Sequence, residues 1–378
     1  MKEIPFYSYE RMYETEKSYV SVVMEEVLSR SDFILREDLF KFEREIAVYV
    51  GASFSAGVAN GTDAIWLALI AAGVKAGEEV ILPSHTYIAT ADAVRFLNAT
   101  PVLVDCENDH SISIAAIEEA LTNKTSAVIA VNLNGRACRL DKIREIAEKN
   151  SLIFIEDNAQ GLGAKLSGKS AGTFGQASTL SFFPAKILGC YGDGGAVVTD
   201  NHSIYNKVLE LRNHGRNQDG EVVSWGFNSR LDNLQAAILE AKLAYLPKSI
   251  RIRRELAGLY LSGLSDVHEI ALPEGPSETS DHFDSFQNFE IEASRRDDLQ
   301  AHLKKNGIGT LRPWNGKAVH QFDLPGMKVM DMANTERIFK KILLLPMNQY
   351  LFPSEVERII NIIRDFYGYK ANYPEVAI

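Results

Sequence analysis

Lys186 closes the stretch Ser181-Phe182-Phe183-Pro184-Ala185-Lys186, and Gly189, Gly192, Gly194 and Gly195 follow it. The apolar run from Ser178 to Phe183 reads as a buried strand, which puts the lysine on a tight turn at the floor of a site. Glycines behind it let backbone or a ligand come close. Lysine is also the side chain that makes Schiff bases with carbonyl compounds, pyridoxal phosphate included, when its surroundings lower its pKa. The same turn equally suits an ordinary surface charge, so the reading depends on what else the chain offers.

Three further stretches point to the same cofactor. In Gly57-Val58-Ala59-Asn60-Gly61-Thr62-Asp63-Ala64 a strand turns into a helix, with Ile65, Trp66, Leu69 and Ile70 on its core side. Backbone N–H groups at that helix start, with the Thr62 hydroxyl, make a phosphate cradle, although a plain cap uses the same residues. Ile155-Glu156-Asp157-Asn158-Ala159-Gln160 ends another strand. A carboxylate at Asp157 can keep a pyridine nitrogen protonated and make the ring an electron sink, with Gln160 on its phenolic oxygen. Alternatively, Asp157 caps the next turn. In Pro83-Ser84-His85-Thr86-Tyr87-Ile88-Ala89-Thr90, Tyr87 can stack on a flat ring or pack as half-buried core. His85 has no partner visible in sequence and is given no role.

The elements that must hold these residues are legible in outline. Val80-Ile81-Leu82, Val102-Leu103-Val104, Ala127 to Val131, Leu152 to Ile155 and Ala196-Val197-Val198 are continuous apolar runs, as in strands buried on both faces of a mostly parallel sheet. Helical patterns lie between them, such as Asp141 to Asn150 with Ile143, Ile146 and Ala147 on one face. This alternation predicts an α/β fold, a three-layer α/β/α unit with ligand chemistry at the carboxyl ends of the strands. Near Pro247 the texture changes, and a smaller α+β domain is expected over residues 250–378, after a large domain over 1–249 that includes the N-terminal segment. The last helix is expected to start at Ser354 with Glu357 completing a capping box, and to bury Val356, Ile359, Ile360 and Ile363.

A chain of 378 residues, 46% hydrophobic and 24% charged, has material for a real core. No apolar run reaches the ~18 residues of a membrane span, and the N-terminus lacks the apolar stretch of a signal peptide. A net charge of −10 argues against nucleic acid as a partner. Cys106, Cys138 and Cys190 lie far apart with no C-x-x-C spacing, so neither a disulfide framework nor a metal is expected, and a cytoplasmic location is.

Gly61-Thr62-Asp63-Ala64, Glu156 to Gln160, Ser181 to Lys186, Gly192-Asp193-Gly194-Gly195 and Asn228-Ser229-Arg230-Leu231 follow one another in an order that closely resembles the DegT/StrS family of pyridoxal-phosphate-dependent nucleotide-sugar aminotransferases. The resemblance runs from Ile4-Pro5 to Leu345-Pro346. It implies a fold-type I aminotransferase and a homodimer with shared active sites. By match to the family motifs, Lys186 would anchor pyridoxal 5′-phosphate and shuttle the proton, Asp157 would hold the ring nitrogen, Gln160 the ring oxygen, and Tyr87 would stack. Gly61, Thr62 and Ser181 would grip the phosphate, Asn228 would reach it from the partner subunit, and Arg230 would support that loop. The amino group would pass from an amino acid, glutamate by family habit, to a nucleotide-linked keto-sugar for a surface polysaccharide or glycosylated metabolite.

Departures cluster where relatives face the sugar. Arg36, the stretch Asn132 to Leu140, and Pro346-Met347-Asn348 differ from the usual pattern, and Arg312, Trp314 and His320 are taken as substrate contacts or as small-domain packing. Two other readings remain: a sugar dehydratase, which in this family carries histidine where Lys186 stands, and a cofactor-binding regulatory protein without catalysis.

Overall fold

The computed structural model describes residues 3–277 and 280–370. An eight-stranded sheet runs, edge to edge, through Phe54–Val58, Gly195–Thr199, Ala177–Ser181, Ile153–Asp157, Thr125–Val131, Glu79–Pro83, Thr100–Val104 and Lys328–Val329. Gly195–Thr199 is antiparallel to both its neighbours; the other pairs are parallel.

Continuous apolar runs put side chains on both faces in alternation, and the core shows where they go. Val80 and Leu82 join one buried cluster with Ala127, Ile129 and the helix Gly61–Ala72, while Ile81, Val128 and Ala130 join another with Leu140 and Ile143. That is a three-layer arrangement, as expected from the pattern. Successive strands progress in opposite directions on either side of the pair Glu79–Pro83 and Thr125–Val131. A crevice opens at the carboxyl ends beside such a reversal.

A second, three-stranded antiparallel sheet pairs Ile270–Ala271, Phe289–Ala293 and Ile342–Leu345. The helices Leu246–Leu264, Arg296–Lys305 and Pro353–Tyr367 pack on it, with Tyr260 stacked 4.7 Å from Phe289. Val356, Ile359, Ile360 and Ile363 are buried as the periodicity required.

Two expectations shift in detail. The final helix begins one residue earlier than Ser354, and Glu355, not Glu357, accepts the N–H of Phe352 at 3.1 Å. Pro353 is the reason, because its fixed φ suits the first helical position. Residue 250, where the small domain was expected to begin, falls inside the helix Leu246–Leu264, and Pro247 lies in the first turn of that helix. The chain also crosses between units: Ile4 packs in the C-terminal cluster, whereas Val319 and Met332 pack against the large sheet. Residues 371–378 of the expected small domain lie outside the described residues.

Candidate active site

The strand Ile153–Asp157 ends with two carboxylates on opposite faces, and each is held for a different purpose. Glu156 is fully buried and accepts backbone N–H groups of Gly172 at 2.6 Å, Phe174 at 2.6 Å and Gly175 at 2.9 Å, with the Asn132 amide at 3.2 Å. It pins the 172–175 loop under the strand end. Asp157 turns the other way, accepting the Thr90 hydroxyl at 2.8 Å and the Ala159 N–H at 3.1 Å. Burial pushes the Asp157 pKa up, and the two hydrogen bonds and the nearby Lys186 charge oppose that.

Lys186 stands on the turn after Ala177–Ser181, its N–H donating to Phe183 O at 2.8 Å. Burial lowers its pKa to about 8, and Asp157 pulls back up. A half-buried lysine at the cavity wall, with its pKa lowered by desolvation and a carboxylate nearby, is suited to act as a nucleophile.

Across the same cavity the helix Gly61–Ala72 presents its N-terminus. Asn60 caps it, accepting the Asp63 N–H at 2.8 Å, and Gly73 closes it in the left-handed conformation at φ 103°. Gly61 is required: a Cβ there would sit 2.8 Å from the Ser181 Cβ. Gly195 is under the same constraint, since its Cβ would meet the Asn60 carbonyl at 2.4 Å. The glycines therefore press the helix start against the strand that leads to Lys186.

The cavity these elements enclose has a volume of about 710 Å³. Gly61, Thr62, Tyr87, Asp157, Gln160, Ser181, Lys186 and Trp314 all line it. Gln160 spends its carbonyl oxygen on the Asn134 N–H at 2.9 Å and the Asn288 amide at 3.2 Å, which leaves its NH₂ group for the cavity. Tyr87 is 55% exposed and caps the helix Ile88–Phe96.

Three residues expected in the site do not line this cavity. Asn228 is exposed, on a projecting segment where it bridges Asn213 and where Trp225 is 96% exposed. Arg230 donates to the Asn213 side chain at 3.1 Å. Arg312 is exposed and lies 3.6 Å from Asp297. His320 bonds through Nδ1 to the Ser84 hydroxyl at 2.7 Å, behind the cavity wall. Trp314 does face the cavity, in a left-handed conformation at φ 49°.

Sequence reasoning missed Thr90, Ser229 and His85. Thr90 lies three residues beyond Tyr87, one helical turn along, and that spacing was the available signal. Ser229 ties the phosphate-facing turn to the next segment, donating to Asp63 at 2.6 Å. His85 is 1% exposed, and neither ring nitrogen has a hydrogen-bond partner; burial pushes its pKa down to about 4. An unsatisfied buried polar group of this kind costs about 1–3 kcal/mol.

The profile of the DegT/DnrJ/EryC1/StrS aminotransferase family matches residues 15–364. The chain belongs to that family. It is 35% identical, over 96% of both chains, to the dTDP-3-amino-3,4,6-trideoxy-alpha-D-glucose transaminase of Streptomyces venezuelae. It is 37% identical to a protein of Geobacillus stearothermophilus named as a pleiotropic regulatory protein, over 97% of this chain and all of that one. The crystal structure of S. venezuelae DesV in complex with a ketimine intermediate superposes with a TM-score of 0.93 at 35% identity, covering 97% of this chain and 99% of the other. Family membership makes this chain an aminotransferase whose cofactor is pyridoxal 5′-phosphate, and solved relatives hold that cofactor as PMP or as hydrated PLP. The residues fit the group: a cradle closed to any side chain at Gly61, a carboxylate, a free amide donor and a desolvated lysine share one cavity.

Proposed function

We propose that this aminotransferase moves an amino group from an amino acid, glutamate first among the candidates, to the keto group of a nucleotide-linked sugar. The observation that carries the reading is Lys186 facing Asp157 in a cavity that also takes the N-terminus of the helix Gly61–Ala72. The relatives' names support the sugar: one is a transaminase of a dTDP-amino-sugar and another a UDP-2-acetamido-2-deoxy-3-oxo-D-glucuronate aminotransferase.

When bound, the cofactor supplies an electron sink that stabilises charge at the carbon losing its proton. The chain's residues do the rest. Asp157, oriented by Thr90 and Ala159, holds a positive ring nitrogen in place. The amide of Gln160, steadied by Asn134 and Asn288, donates to the ring oxygen. The N–H groups at Gly61 and Thr62 and the Ser181 hydroxyl take the phosphate. Tyr87 covers the ring. Lys186, whose pKa burial brings down to about 8, gives up its proton far more readily than a solvated lysine and is the positioned base that would carry the proton between donor and cofactor carbons.

We further place the enzyme in a homodimer whose sites are shared, because Asn228 projects on an exposed, aromatic-rich segment instead of into its own chain's cavity. Arg312, Trp314 and His320 are assigned to the acceptor side: Trp314 lines the cavity, Arg312 stands on the exposed segment beside it, and His320 acts through its bond to Ser84. A large cofactor-binding unit and a smaller C-terminal one are assigned to the chain, with Lys328–Val329 of the C-terminal part crossing back to edge the large sheet. Three free buried cysteines favour the cytoplasm. Surface polysaccharide or a glycosylated metabolite is the assigned use of the product.

The test is to incubate the enzyme with pyridoxal phosphate, glutamate and a panel of nucleotide-linked keto-sugars, and to look for the amino-sugar by mass spectrometry. Product with at least one sugar, and loss of product when Lys186 is replaced, is the expected result. Conversion of glutamate with every sugar left untouched would remove the sugar from the reading.

A further inference from the structure

Behind the cofactor cavity, three side chains from three elements converge. His85 follows the strand Glu79–Pro83, His110 lies in the loop after Thr100–Val104, and Glu290 sits on Phe289–Ala293 of the small sheet. One ligand atom from each lies within 4.8 Å of the others. His110 Nδ1 is 2.6 Å and His85 Nε2 is 3.8 Å from the same Glu290 oxygen. His85 and Glu290 are 1% and 5% exposed.

One observation separates this cluster from a structural ion pair. Neither nitrogen of His85 has a hydrogen-bond partner, although the ring is sealed between Trp314, Phe339 and His110 at centroid distances of 5.5, 5.0 and 5.5 Å. In addition, His110 Nε2 is held by Glu292 at 3.2 Å, and Glu292 is fixed in turn by Arg337 at 2.7 Å. A carboxylate on the far nitrogen sets the tautomer of a ligating histidine and aims its other nitrogen at a metal. His110, Glu290 and Glu292 also line a separate cavity of about 310 Å³, which gives an ion a way in.

We propose that His85, His110 and Glu290 form a binding site for a divalent first-row transition cation of the zinc class, with a water from the adjoining cavity completing the coordination. Two imidazoles and a carboxylate are a borderline donor set suited to such ions. The ion displaces the proton shared between His110 and Glu290 and satisfies the orphaned His85. Bonds of ~2.0–2.2 Å at a tetrahedral angle set the donor atoms ~3.3–3.6 Å apart, so the His110–Glu290 pair must open from its hydrogen-bonded 2.6 Å to admit the ion. The site is structural: it joins two strand ends of the large sheet to the small sheet, and it backs Trp314, which lines the cofactor cavity.

The experiment uses the full chain with its cofactor, stripped by a chelator, re-equilibrated with zinc and passed through a desalting column. Metal is counted by plasma mass spectrometry, and affinity is read by competition with a chromophoric chelator. One zinc per chain is expected in the wild type. His110→Ala and Glu290→Gln should lose it, Glu292→Gln should bind roughly 10–100-fold more weakly, and His202→Ala, on a surface helix, should bind as the wild type does. Retained cofactor absorbance certifies that each variant is folded. A wild type that keeps no zinc overturns the proposal whatever the variants do. Equal zinc in Glu290→Gln and wild type also overturns it, since the ion would then sit elsewhere, for example on the cofactor.

Discussion

The floor and the rim of the cofactor cavity are built differently. Asp157 and Ser181 end strands whose register is fixed by pairing, Asp157 opposite both Val131 and Thr179 in parallel and Ser181 opposite Gly195 in antiparallel, and Lys186 stands on the turn that follows. Their polar neighbours are specific and close: Thr90 and Ala159 on Asp157, Asn134 and Asn288 on Gln160. On the rim, Arg312 lies in an exposed loop, and Trp314 and Asn315 adopt left-handed backbone conformations at φ 49° and 61°. A fixed floor suits a cofactor that is the same in every turnover, and a loop-built rim suits an acceptor that differs between enzymes of one fold.

Replacing Lys186 should have the largest effect on this contrast. Lys186→Ala should lower turnover by at least the ~10²–10⁴-fold that acid–base work alone contributes, as measured by product formation at saturating substrates. Mixing that chain with an Asn228→Ala chain should restore part of the activity in the mixed dimer, because one of its sites would carry both native residues. No recovery, with heterodimers confirmed, would return Asn228 to its own chain.

Next in size is Thr90→Val, which removes one hydrogen bond to a buried carboxylate. A charge-assisted bond of about 1.5–3 kcal/mol predicts a loss of roughly ten- to a hundredfold in the half-reaction with the amino donor. Rates unchanged within a factor of two would show that Asp157 is held without it. Arg312→Ala should act on the rim alone, raising the KM for the sugar several-fold while leaving the donor half-reaction intact. Equal damage to both half-reactions would place Arg312 with the floor.

The smallest effect is one of pH. Lys186 captures the cofactor as the neutral amine, and burial brings its pKa down to about 8 from the usual lysine value. The rate at which the cofactor-free enzyme takes up pyridoxal phosphate should therefore rise with pH through a midpoint near 8. Stopped-flow absorbance measures it, and a midpoint above 10 would mean that the lysine is solvated.

This difference between floor and rim also decides what could be read from the sequence. Strand-end residues announce themselves because an apolar run must stop somewhere: Asp157 comes just past the run Leu152 to Ile155, and Lys186 three residues past the run that contains Ser181. The glycines were legible for the same local reason. The start of the last helix was read one residue late because proline can break a pattern or begin one, and only the backbone decides. Contacts between distant segments left no local trace: Thr90 with Asp157, Ser84 with His320, and His85 with Glu290 are brought together by the fold.

The most direct measurement is the visible absorption spectrum of the purified protein loaded with pyridoxal phosphate, recorded before glutamate, after it, and after a nucleotide-linked keto-sugar. The account predicts a band from the lysine-bound cofactor that bleaches with glutamate, returns with the sugar, and is absent in Lys186→Ala. A band that forms and then ignores every amino donor, or one that persists in Lys186→Ala, would contradict it.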